Sequence, residues 1–123
     1  MDRDEALDYA RRWADAWTGR DLGVVLGHFA DDVVFSSPKA VQTVGQPTVR
    51  GKEALRAYWE AALRTIESIR FTVVRIVWDP DTAELAIIYD RDVDGHRDRA
   101  AEVLRFGRSG QVVCGEVLYG VVP

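Results

Sequence analysis

The chain has 123 residues, of which 47% are hydrophobic and 29% charged, a size and composition that suit one globular domain with its own core. A net charge of −4 without a basic stripe excludes electrostatic nucleic-acid binding, and no apolar run approaches the roughly 20 residues that span a bilayer. The single cysteine, Cys114, has no intramolecular disulfide partner, and the charged start MDRDEALDYARRW does not read as a secretory signal; a cytoplasmic protein is expected.

Asp2 followed by Glu5 resembles a capping box. Ala6, Ala10, Trp13 and Trp17 then recur at spacings of four, three and four, which predicts one helical stripe ending near Gly19. Asp21 can cap a short second helix with Leu22, Val25, Leu26 and Phe29 on its apolar face; Gly23 and Gly27 weaken it, so it must lean on packing. A short strand, VVFSS, ends at Pro38, and Lys39 to Arg50 reads as a loop. A third helix starts near Gly51 with Leu55, Tyr58, Trp59, Ala62, Leu63 and Ile66 on one face.

The second half reads as four strands: RFTVVRIVW, AELAIIYDRDV, HRDRAAEVLRF and QVVCGEVLYGVV. Asp94-Gly95 is a strong hairpin signal. Pairing outward from it sets Asp92 against Arg97, Arg91 against Asp98, Asp90 against Arg99 and Glu84 against Arg105. Every pair has opposite sign, and a slip of one residue would flip each side chain to the other face. Pairing outward from Ser109-Gly110 sets Glu102 against Val117. One face then carries Leu85, Ile87, Tyr89, Ala100, Glu102, Leu104, Phe106, Val113, Gly115, Val117 and Tyr119, with Glu102 as its only ionisable acid. The other carries Ala86, Ile88, Asp90, Ala101, Val103, Arg105, Cys114, Glu116 and Leu118, apolar residues mixed with charges, a surface suited to a homodimer.

Three amphipathic helices need a partner, and the apolar sheet face is the one available. The expected architecture is α+β: a curved antiparallel sheet closed by three helices of the N-terminal half, forming a cone. Trp13, Trp17, Tyr58 and Trp59 are expected to line it, with Phe29 and Phe35.

GRDLGVVLGHFADDVVFSSP, VRGKEALRAYW and AAEVLRFGRSGQVVCGEVLYG resemble, in that order and over nearly the whole chain, the SnoaL-like branch of the nuclear transport factor 2 superfamily. The resemblance implies one domain over residues 1–123, a cystatin-like cone, and dimers through the outer sheet face. The superfamily includes ketosteroid isomerases, polyketide cyclases, dehydratases, epoxide hydrolases and proteins without known activity, so the fold does not select a reaction. At the position of the isomerases' basic Asp, before Pro38, stands Ser37, a hydroxyl too weak to take a carbon-bound proton unaided. Their helix-one tyrosine falls on Trp13, and their protonated Asp on Glu102. One role of three survives in kind, and ketosteroid isomerase activity is not expected. The Asp-Arg-Asp set of limonene epoxide hydrolases is not met either.

Glu102 is therefore the candidate catalytic acid. In a dry pocket, burial raises its pKa and keeps it neutral, able to donate to a ligand oxygen. The alternative is an internal anchor bonded to Trp13, Tyr58, Tyr89 or Tyr119. Expected ligand-binding residues are Trp13, Trp17, Phe35, Ser37, Tyr58, Trp59, Tyr89, Leu104, Val117 and Tyr119; the aromatic ones also read as plain core, and Ser37 as a turn residue. Asp31 and Asp32 read as solvated. His28 and His96 form no metal set with any Cys or carboxylate, so no metal and no cofactor are expected. Three functions remain open: a cofactor-free enzyme on a small hydrophobic molecule, by isomerisation, cyclisation or dehydration; a non-catalytic binder of such a molecule; and a dimeric assembly domain with a filled cone.

Overall fold

In the computed structural model, which describes residues 1–123, the capping box forms: Asp2 Oδ1 accepts from the Glu5 amide at 2.8 Å, and Glu5 Oε1 accepts from the Asp2 amide at 3.1 Å. It opens α1 (Arg3–Thr18), whose stripe is buried from Ala6 to Trp17. Asp21 caps α2 (Leu22–Gly27) through the Val24 amide. Phe29, expected on that helix, instead begins β1 (Phe29–Ser36). The helix stops at Gly27, and the Phe29 side chain is buried by pairing with Val112 rather than by continuing the helical stripe.

The stretch read as a loop contains two short elements, α3 (Ala40–Val44) and β2 (Thr48–Arg50). Neither is long enough to show a period. Gly45, at φ 81, ends α3 in the left-handed region. Gly51 leads into α4 (Lys52–Arg64), so four helices close the cone, not three. Ile66 lies beyond the end of α4.

Four strands follow: β3 (Ile69–Asp79), β4 (Glu84–Val93), β5 (His96–Phe106) and β6 (Val112–Gly120). The six strands form one sheet in the order β2-β1-β6-β5-β4-β3. Its pairs are antiparallel apart from β1 and β6, which run parallel. Along β4 and β5 the register is the one charge matching selects: Asp92 against Arg97, Arg91 against Asp98, Asp90 against Arg99, Glu84 against Arg105. Asp94 and Gly95, at φ 52 and 82, make the two-residue turn. The Asp94 carboxylate also accepts from the amides of Glu67 and Ser68, which ties this turn to the chain entering β3.

Between β5 and β6 the pairing holds from Arg99 to Arg105 and then slips. Gly107 donates to the carbonyl of Gln111, so the connection is longer than a two-residue turn. Phe106 therefore pairs with Val112, and Val112 replaces Val113 in the inner row. The core lies between this row and the helices. Phe29, Phe35, Leu26, Leu55, Leu85, Ile87 and Leu104 are its largest fully buried side chains.

Candidate functional site

The register carries Glu102 onto the concave face, opposite Ile87 on one side and Val117 on the other. Its residue is 4% exposed. The carboxyl has one hydrogen-bond partner, the Tyr89 hydroxyl, at a long 3.4 Å. Burial pushes its pKa to about 8, against a smaller pull downward from Tyr89 and from the Arg91 charge. At neutral pH the group is mostly a neutral acid, a hydrogen-bond donor rather than an anion.

Glu102 faces a cavity of about 580 Å³ between the sheet, α1, α3 and α4. Trp13 and Trp17 enter it from α1, Phe35 from β1, Tyr58 and Trp59 from α4, and Tyr89, Val117 and Tyr119 from the sheet. Their rings contact edge to face: Trp13 against Tyr89 at 4.9 Å, Trp17 against Trp59 at 5.0 Å, Phe35 against Trp59 at 5.1 Å. Fifteen of the 22 lining residues are hydrophobic, which suits a largely apolar molecule.

The family model of the SnoaL-like domain matches residues 10–114. The chain belongs to the SnoaL-like family. A SnoaL-like protein of unknown function from Burkholderia thailandensis is 34% identical to it, with a TM-score of 0.87 over 98% of each chain. A nuclear transport factor 2-like protein of unknown function from Burkholderia pseudomallei is 21% identical, with a TM-score of 0.78 over 94% of this chain and 90% of that one. TerC, co-crystallized with polyporic acid, is 13% identical, with a TM-score of 0.76 over 94% and 91%. No curated protein matches the chain.

In this SnoaL-like protein, nine of the ten expected ligand-binding positions line the cavity together with Glu102. The exception is Leu104, which is fully buried beneath it. There it packs where Gly115 leaves room: a Cβ on Gly115 would come within 3.0 Å of Leu104 and 2.9 Å of the Phe35 ring. Ser37 combines its two readings. It lines the cavity, and its hydroxyl accepts from the Lys39 amide in the turn before α3. Of the four partners considered for Glu102, Tyr89 alone bonds it; the Trp13 indole N–H is buried without a partner.

Glu102 is not the only acid of the inner row. The row runs one step further than the sequence reading took it, to Arg91 and Asp98. Arg91 Nη1 donates to both Asp98 carboxylate oxygens at 3.0 Å, and the arginine is 8% exposed and lines the cavity. The signal was present, since charge matching pairs these two residues and alternation puts them on the face of Tyr89 and Ala100. Lys39, also missed, reaches the cavity from the turn before α3, a short segment with no periodic signature.

The remaining titratable candidates lie elsewhere. Asp31 and Asp32 are exposed on β1. His28 caps α2 and packs edge-on against Tyr9 at 5.5 Å, His96 starts β5, and Cys114 lies opposite Arg105 on the outer face. No three His, Cys, Asp or Glu side chains are grouped to hold a metal ion.

Proposed function

We propose that this SnoaL-like protein takes a small, largely apolar molecule into the cone and uses the Glu102 proton on one of its oxygens. The observation that carries the reading is a buried carboxyl with a pKa of about 8, facing an open cavity and held by a single long hydrogen bond. A buried polar group is expensive unless satisfied, and a ligand carbonyl or hydroxyl satisfies this one. Donation to a carbonyl oxygen stabilises the charge that develops there on enolisation; donation to a hydroxyl assists its departure as water. Isomerisation, cyclisation and dehydration fit such a site without a cofactor.

A specific observation favours a second reading, a non-catalytic holder. Glu102 is the only carboxylate lining the cavity, so no carboxylate base stands opposite the acid. One experiment separates the two. A panel of small apolar ketones and alcohols is incubated with the protein in heavy water, while melting temperature and deuterium uptake at carbon are followed. An enzyme raises both signals, and Glu102→Gln abolishes uptake while keeping a rise in melting temperature. A holder raises the melting temperature alone. No rise with any member of the panel removes both readings.

The outer sheet face supports a homodimer. Val77 and Leu118 are 58% and 54% exposed there, flanking half-buried Ile88, Ala101 and Val103. Exposed apolar surface of this kind marks association sites. A monomeric mass by light scattering at high micromolar concentration would remove the dimer.

A further inference from the structure

The cavity wall has an unbalanced charge. Two cationic side chains reach it, Arg91 from β4 and Lys39 from the turn before α3, and both sit against one ring: Arg91 Cζ is 4.8 Å and Lys39 Nζ is 4.5 Å from the centre of Tyr119. One carboxylate, Asp98, answers them. Asp98 takes Arg91 through Nη1 alone, and the rest of the guanidinium has no hydrogen-bond partner. Lys39 has no ion pair. Two like charges gathered on one ring repel each other, and an anion lodged between them relieves that repulsion.

The neighbouring groups point the same way. Tyr58, Tyr119 and Ser37, each carrying a hydroxyl, line the same cavity. Glu102 is mostly protonated at neutral pH, so it adds a donor and little competing negative charge. The fully buried unpartnered side-chain polar atoms are all indole N–H groups, of Trp13, Trp17 and Trp78. The spare guanidinium N–H groups of Arg91 are not among them, and Arg91 lines the cavity. Beyond this cluster the wall carries the rings of Trp13, Trp17 and Trp59. An apolar body and an oxyanion head match the two parts.

We infer that the cavity takes a small amphipathic organic acid, its anionic oxygens held between Arg91 and Lys39 and its apolar body against the tryptophans. This rests on the reading of the cone as a ligand site and adds the chemical class of the ligand. A fork of N–H donors beside a compact ammonium suits a carboxylate head.

The test uses matched pairs that differ only in charge: benzoate, 2-naphthoate and 9-anthroate, each against its primary amide, titrated by calorimetry. The expected result is that at least one acid binds ten-fold or more tighter than its amide. Lys39→Met, a change at an exposed residue that pairs with no protein carboxylate, is expected to cut that preference several-fold. Arg91→Gln/Asp98→Asn, which removes both members of the ion pair together, is expected to abolish it while the amide still binds. Equal binding of acid and amide to wild type overturns the acid-binding inference and leaves the apolar pocket standing. So does an acid preference that both variants retain. Binding by no member of the panel overturns the pocket reading as well.

Discussion

The concave row of the β4–β5 hairpin has two ends, and they behave differently. At one, Leu85, Ile87 and Leu104 are fully buried, and Tyr9 of α1 closes over Phe106 with rings 5.3 Å apart. At the other, Tyr89, Arg91, Asp98 and Glu102 face the same way, and the same helix ends in Trp13 and Trp17 over a cavity. The β4–β5 pairing register is unbroken through both. What changes is the chemistry of every second residue. Where it is apolar, the helices settle onto the sheet and exclude space. Where it turns polar, close packing would strand a carboxyl and a guanidinium, and the helix presents large rings that bridge rather than fill. The cone is a core at one end and a container at the other, and Glu102 sits at the boundary.

The packed end is expected to break hardest. Leu104→Ala removes side-chain volume from a fully buried site and is expected to cost about 3 kcal/mol in urea unfolding. If the loss were under about 1 kcal/mol, this end would be no better packed than the other.

At the boundary, Glu102→Gln is expected to change stability with a pH signature rather than by a fixed amount. The folded pKa of about 8 lies above the ordinary 4.5, so the folded protein binds the proton more tightly than the unfolded chain. Stability from this group is complete below pH 4.5, falls as pH rises between 4.5 and 8, and is level above that. Gln removes the titration. Relative to the variant, wild type is expected to lose about 3 kcal/mol between pH 5 and 8, read as diverging melting curves. Parallel curves would mean that Glu102 is already ionised in the folded protein.

In the polar end, Arg91→Gln alone leaves Asp98 a half-buried carboxylate without its partner and is expected to cost about 2 kcal/mol. Arg91→Gln/Asp98→Asn is expected to recover most of it, giving a positive coupling in a double-mutant cycle. A double variant as unstable as the single one would show that packing of the arginine stem, not charge, holds this end.

How much of this contrast was legible in the sequence follows from where the signals are strong. Opposite charges along a two-residue hairpin over-determine one register, so the positions of Glu102, Tyr89, Val117 and Tyr119 followed from pairing alone. The parallel contact of β1 with β6 did not, because it joins strands distant in sequence and has no turn to set it. Nor did α3, where five residues show no period, and with it went Lys39. The slip after Arg105 came from a loop longer than Ser109-Gly110 suggests, and it exchanged Val113 for Val112. Arg91 and Asp98 were legible, and stopping the row at Tyr89 and Ala100 left them out. Leu104 was read as ligand-facing because alternation tells which face a residue takes, not whether that face is filled.

The smallest expected effect tests the turn that sets both ends. Gly95 sits at φ 82 with nothing within 4 Å of where a Cβ would stand. Gly95→Ala therefore meets no steric clash and bears only the left-handed backbone cost, about 1 kcal/mol. The Asp94 carboxylate still holds the amides of Glu67 and Ser68, and ten paired positions along β4 and β5 still favour the same register. The melting temperature is expected to fall by a few degrees while the pH signature of Glu102 stays as it is in wild type. The two readouts separate because the turn sets the cost of closing the hairpin, whereas the charge pattern chooses which face Glu102 takes. If the substitution flattened the pH signature, the register would depend on the turn alone, and the matched charges would not be what puts the acid in the cone.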